Sequence, residues 1–141
     1  MTRAEFKALV RKVMDHLPDE MKPYLDNVVV EVMDEPDDAL LRRAGFTDEE
    51  IEAGESLFGL FDPLDMPHDG VNFQDYPHKL WIFQFPHEDE FADPKRLRTE
   101  IRKTVIHELG HHFGFDERDL ERFDANPDPF GEKHRLPGGE A

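Results

Sequence analysis

The amino-acid sequence predicts one domain that combines helices with a few short strands. Two observations lead there. Apolar residues recur at three- and four-residue steps near the start of the chain and again over residues 94–113. Between these segments lie three short runs, NVVVEVM, SLFGLFD and KLWIFQF, rich in β-branched and aromatic residues. With 141 residues, 38% of them hydrophobic and twelve of them Phe, the chain can bury one modest core and is not of disordered composition.

The elements follow in order. Phe6, Leu9, Val10, Val13 and Leu17 mark an amphipathic helix over 3–17, ended by Pro18. NVVVEVM (27–33) reads as a strand. TDEE (47–50) is a capping box, with Thr47 as N-cap and Glu50 reaching back, so a short helix starts there. SLFGLFD (56–62) is a second strand closed by Pro63, and the Pro-, Gly- and Asp-rich stretch 63–77 is a long loop. KLWIFQF (79–85) is a buried third strand ending at Pro86; an edge strand here could pair with an extended peptide. Asp93 and Pro94 supply the N-cap and first-turn proline of a helix that runs to about Phe113. Residues 1–125 form the domain, and 126–141 are expected to be a loosely held tail.

Composition narrows the function. A formal net charge of −16 argues against nucleic-acid binding, which needs clustered Lys and Arg, and it would repel acidic substrates and anionic membranes. The absence of cysteine leaves histidine and carboxylates as the strong metal ligands. The N-terminal stretch has no continuous apolar run or small-residue cleavage site, and no segment is apolar enough to span a bilayer, so a cytoplasmic location is expected. The acidic runs at 35–38 and 88–90 read as solvated surface.

The chemistry is concentrated in TVIHELGHHFGF, residues 104–115. In the helix from Pro94, the residues Ile101, Val105, Ile106, Leu109 and Phe113 share one broad face, and His107 and His111 stand one turn apart on the other. Imidazoles four residues apart project together and can bind one ion at about 2.0–2.1 Å. Glu108 points roughly a quarter-turn away, where it can take a proton from metal-bound water as a general base. Gly114 falls where the helix must break, because glycine tolerates the left-handed ending that returns the chain toward the histidines. Asp116, Glu117 and Asp119 follow as candidate third ligands, Glu117 preferred from its spacing, although an acid there could also cap a following helix. The plain alternative for His107 and His111 is a pair of solvated helix histidines. His112 falls toward the apolar side and reads as a core histidine, while His16, His68, His78, His87 and His134 read as structural or surface residues. His134 or Tyr76 could polarise a substrate carbonyl.

His107-Glu108-x-x-His111-x-x-Gly114-x-x-Glu117 resembles the extended zincin pattern, in which the last position supplies the third ligand. The closer likeness, covering most of residues 5–122, is to the small bacterial zincin-like metallopeptidases. That resemblance implies a compact α+β fold of minimal zincin type, with a small twisted sheet packed on the HExxH helix. It also implies one Zn2+ per chain on His107, His111 and Glu117, Glu108 as catalytic base, and a peptide or protein substrate. A monomer fits this reading. The chain departs from true metzincins, which carry His at the position of Glu117 and a downstream methionine turn; here no Met follows Met66. A gluzincin-like third ligand from a later helix could only be Glu121 or Glu132, and the short Pro-rich tail argues against it. Two rivals stand beside the peptidase: a catalytically silent or occluded zinc-binding regulatory module, and a metal-dependent hydrolase of non-peptide amides.

Overall fold

The computed structural model describes residues 1–62 and 78–132 of the 141-residue chain. Helix α1 (Arg3–Asp15) opens with a capping box in which the Thr2 hydroxyl accepts from the Glu5 N–H and Glu5 reaches back to the Thr2 N–H. A 3-10 turn at Asp19–Tyr24 leads into strand β1 (Val28–Met33). Helix α2 (Asp38–Arg43) occupies part of an acidic stretch expected to be plain surface, capped by Asp37. Helix α3 (Asp48–Glu52) carries the predicted reciprocal Thr47–Glu50 cap, and strand β2 (Gly59–Asp62) follows. After it come strand β3 (His78–Phe83), helix α4 (Gln84–Glu90), the long helix α5 (Pro94–Phe113) and helix α6 (Glu117–Asp124). The long loop expected at 63–77, with His68 and Tyr76, and the position of His134 lie outside the described residues.

Among the described residues the sheet has three strands in the order β1-β3-β2. β1 runs parallel to β3, from Val28 opposite His78 to Met33 opposite Phe83, and β2 runs antiparallel to it, from Gly59 opposite Ile82 to Asp62 opposite Lys79. β3 is therefore central rather than an edge, which removes it as a docking strand for a peptide. It also ends two residues earlier than its composition suggests. Pro86 is the third residue of α4, where the missing N–H would have had no intrahelical partner in any case, so it is admitted to the helix instead of ending the strand. The buried Gln84 then ties this corner to the N-terminus, accepting from Arg3 Nε at 2.6 Å and donating to the Met1 carbonyl at 3.1 Å.

Helix α5 packs against both α1 and the sheet. Leu97, Ile101, Val105, Ile106 and Leu109 of α5 pack with Phe6, Val10 and Val13 of α1, with Phe61 of β2 and with Leu80 and Ile82 of β3. Two glycines let neighbours come close to α5. A Cβ on Gly59 would stand 2.6 Å from Thr104 Cγ2, so β2 lies directly on the helix. A Cβ on Gly110 would stand 2.4 Å from Leu120 Cδ2, so α6 presses its buried Leu120 onto the helix backbone. The C-terminal stretch expected to be loose from residue 126 is instead packed as far as it is described. Phe130 is 2% exposed and belongs to the core, because Arg98 lies over its ring at 4.2 Å and its apolar face has a site to fill. Hydrogen bonds from Arg98 hold the Glu132 carboxyl down at about 2.

His87 is fully buried between α4 and α5. Its Nδ1 faces the Phe83 carbonyl at 2.8 Å and must donate, while Nε2 lies 3.0 Å from the Thr104 hydroxyl, whose single proton also reaches the Glu100 carbonyl at 3.1 Å. Burial lowers its pKa below the usual 6.5. The folded state thus binds this proton more weakly than the unfolded chain. The stability it contributes is complete above the unfolded pKa and is lost as pH falls through the folded value. Denaturant midpoints should decline as the pH is taken from about 7 to about 5, and His87→Gln should flatten that decline by about one proton's worth of slope. Gly110→Ala tests the helix contact. Alanine favours a helix by about 1 kcal/mol over glycine, whereas overpacking costs about 1–3 kcal/mol, so chemical denaturation should show a net loss. A gain in stability would mean that Leu120 moves aside freely.

Candidate metal centre

Every part of the site is placed by α5 and the turn that ends it. Asp93 caps the helix by accepting from the Arg96 N–H at 3.0 Å, and Pro94 fills the first position. Twenty residues later Gly114 takes φ +84°, the left-handed ending expected of it, with its N–H bonded to the Gly110 carbonyl. The chain reverses, and Asp116 caps α6 by accepting from the Asp119 N–H at 2.8 Å. α5 and α6 thus form a helical hairpin closed at Gly110 and Leu120.

His107 and His111 stand on the face of α5 toward α6, ring centroids 6.1 Å apart. Each meets a carboxylate of α6. His107 Nε2 lies 2.6 Å from Asp124 Oδ2, and His111 Nε2 lies 3.6 Å from Glu117 Oε1. Glu117 and Asp124 are seven residues apart, two turns of α6, and so share the face that looks at the histidines. Glu108 points elsewhere, toward the sheet, where its Oε1 accepts from the Phe61 N–H of β2 at 2.8 Å. Burial raises its pKa; the Phe61 hydrogen bond and the neighbouring His111 and His107 oppose that rise.

The structure thus turns His107, His111 and Glu117 toward the seam of the two helices, with Asp124 beside His107, and sorts the rest of the residues considered. Asp116 is committed to capping, and Asp119 leans toward Arg122, 3.4 Å away. Glu121 is exposed on α6, and Glu132 pairs with Arg98 and Lys12. His112 corrects the expectation of a core histidine. It is exposed and stacks on the Phe61 ring at 3.8 Å, because the α5 face below it is already filled by Leu109 and the sheet. The partial desolvation of its ring lowers its pKa, with the His78 charge adding to the effect. Asp124 escaped the sequence reading. The signal was available in the seven-residue spacing from Glu117, but only knowledge that α6 folds back along α5 gives that spacing a meaning. Gly110 was likewise legible only as a costly glycine inside a helix.

The donor set suits zinc: imidazoles and carboxylates, without thiolates. Among the described residues Asp124 Oδ1 is buried without a hydrogen-bond partner, and the charge of Arg102 acts on this carboxylate. Among the described residues, however, no three such side chains converge as they would around an ion. They stand as two histidine–carboxylate pairs.

Asp116→Ala should cost about 1 kcal/mol of stability, the usual worth of an N-cap, and leave zinc affinity nearly unchanged. Glu117→Ala should do the opposite, weakening zinc binding with little effect on the unfolding midpoint. Titration with a competing chelator beside thermal melts separates the two.

No curated protein matches the sequence at a significant level. Residues 25–126, more than half of the chain, match the zincin-like metallopeptidase family, a span running from the start of β1 past the end of α6 and including the whole hairpin. The chain belongs to the zincin-like metallopeptidase family.

Proposed function

We propose that the protein is a zinc-dependent peptidase that hydrolyses peptide bonds with water. The observation that carries this reading is the division of labour on α5: His107 and His111 turn toward the acids of α6, while Glu108, between them in sequence, turns toward β2. His107 and His111 are the nitrogen ligands, with Glu117 the carboxylate that the motif spacing names. Zinc, when bound, acidifies a water molecule to a pKa near 7 and polarises a carbonyl group.

The remaining work falls to the chain itself. The Phe61 N–H holds one oxygen of Glu108 and fixes the direction of the other. Partial burial raises the proton affinity of this carboxylate, which suits a group that must take up a proton near neutrality and release it to the leaving amine. The acidic surface favours substrates that are not themselves acidic. Among the described residues no helix is long and apolar enough to cross a membrane. A second reading, a zinc-binding module that cleaves nothing, draws support from Asp124, which already engages the Nε2 of His107.

The two readings part on Glu108→Gln. Size and shape are kept and the base is lost. Zinc content, measured by elemental analysis after dialysis, should stay near one ion per chain, while chelator-sensitive cleavage of a peptide library should fall by about 10²–10⁴-fold. Full activity in the variant would exclude Glu108 as the base. A zinc-loaded wild type that cleaves no peptide would favour the silent module.

A further inference from the structure

We propose that the outer edge of β1 and the groove beside it form a docking site for an extended, acidic segment of another protein, which adds to the sheet as a further strand. β1 is one edge of the sheet among the described residues. β2, the other edge, gives its Phe61 N–H to Glu108 and belongs to the site described above. The His78 N–H donates to the Asn27 carbonyl at 2.8 Å, which sets the phase of the parallel ladder. Val29 and Glu31 therefore bond to β3, and the backbone groups of Val28, Val30 and Val32 point outward. Two of these groups are already used: the Val28 N–H donates to the Leu25 carbonyl at 3.0 Å, and the Val32 carbonyl accepts from Arg3 at 3.4 Å. Among the described residues the Val28 carbonyl, both groups of Val30 and the Val32 N–H stay open, enough for an added strand to pair with.

A groove of about 280 Å³ runs between this edge and α1, lined by Lys7, Val10, Arg11 and Met14 of the helix and by Val30 and Val32 of the strand. Val30 and Val32 pack toward the core, so Glu31 between them directs its side chain to the other face of the sheet. The floor of the groove is apolar and its rim is cationic. Lys7 and Arg11 stand one turn apart on α1, and among the described residues neither side chain has a carboxylate partner. Many other cations of this acidic protein are paired, among them Arg3 with Asp34, Lys12 and Arg98 with Glu132, and Arg122 with Glu20. The strand itself, VVVEVM, carries neither the lysine nor the proline that blunts an idle edge.

Charge and alternation together define the occupant. Side chains of a strand added to β1 point alternately to the two faces of the sheet, so every second one enters the groove. An apolar side chain there covers Met14, Val30 and Val32, and carboxylates two residues before and after it reach the rim of Lys7 and Arg11. A second copy of this chain fits less well, because two protomers with a formal charge of −16 each repel one another. β3 separates β1 from β2, so the added strand lies about 10 Å across the sheet from the strand that holds Glu108 and leaves that site untouched.

The test uses the full chain and an end-capped, fluorescein-labelled peptide, Thr-Glu-Thr-Val-Thr-Glu-Thr, beside the same peptide with Lys in place of Glu. Fluorescence anisotropy should show the acidic peptide binding, more weakly as salt is added, and the basic peptide not binding comparably. Lys7→Glu combined with Arg11→Glu, both at exposed positions, should weaken binding at least about tenfold while circular dichroism stays unchanged. By NMR, hydrogen exchange at the Val30 and Val32 amides should slow on binding, whereas Val29 and Glu31, already in the ladder, should not change. Val30→Pro removes an outward N–H without breaking a ladder bond and should abolish binding in folded protein. Equal affinity in the charge-reversed variant, equal binding of the basic peptide, binding of neither peptide, or unaltered exchange at Val30 overturns the proposal. So does a concentration-dependent dimer in sedimentation that Val30→Pro abolishes, which would make a second copy the occupant. None of these readouts requires cleavage, so a chain that proves catalytically silent leaves the docking site standing.

Discussion

The separation of α5 and α6 governs the site, and it is set where Leu120 sits on the bare backbone of Gly110. Any side chain at residue 110 would meet Leu120 before the helices reached their present distance. With α6 laid against this face of α5, His107 meets Asp124 and His111 meets Glu117. Gly114 contributes the other half of the constraint. Its left-handed conformation reverses the chain within three residues, which puts α6 alongside α5 rather than beyond it.

The two faces of α5 have different electrostatic surroundings, and the difference assigns the roles. Toward α6 the histidines meet carboxylates in a strongly acidic protein, a setting that attracts cations. The C-terminal end of the helix dipole lies at His111 and adds to that attraction. Toward β2, Glu108 sits in partial burial with one backbone N–H for company, which makes it a better proton acceptor than a solvated glutamate. One turn of helix therefore presents cation-binding groups on one side and a base on the other.

The rest of the fold holds α5 from several sides. Its apolar face is covered by α1 and the sheet, its N-terminus is capped by Asp93, and Thr104 ties its middle to the buried ring of His87. The packed stretch around Phe130 covers the remaining flank, with Arg98 lying over the aromatic ring and paired to Glu132.

The sequence by itself determined the elements that local chemistry governs. The span of α5, from the Asp93 cap to the Gly114 stop, follows from capping and glycine, and the capping box at Thr47 follows from residues three apart. The orientation of His107, His111 and Glu108 follows from helical geometry alone. Tertiary structure decided what depends on residues distant in sequence. It placed β3 in the middle of the sheet, admitted Pro86 into α4, and brought His112 out to stack on Phe61. It also set Asp124, seventeen positions from His107, against that ring. Periodicity along one helix states which side chains share a face, but not which second helix will lie against it; that is settled by packing, here by a leucine that fits over a glycine.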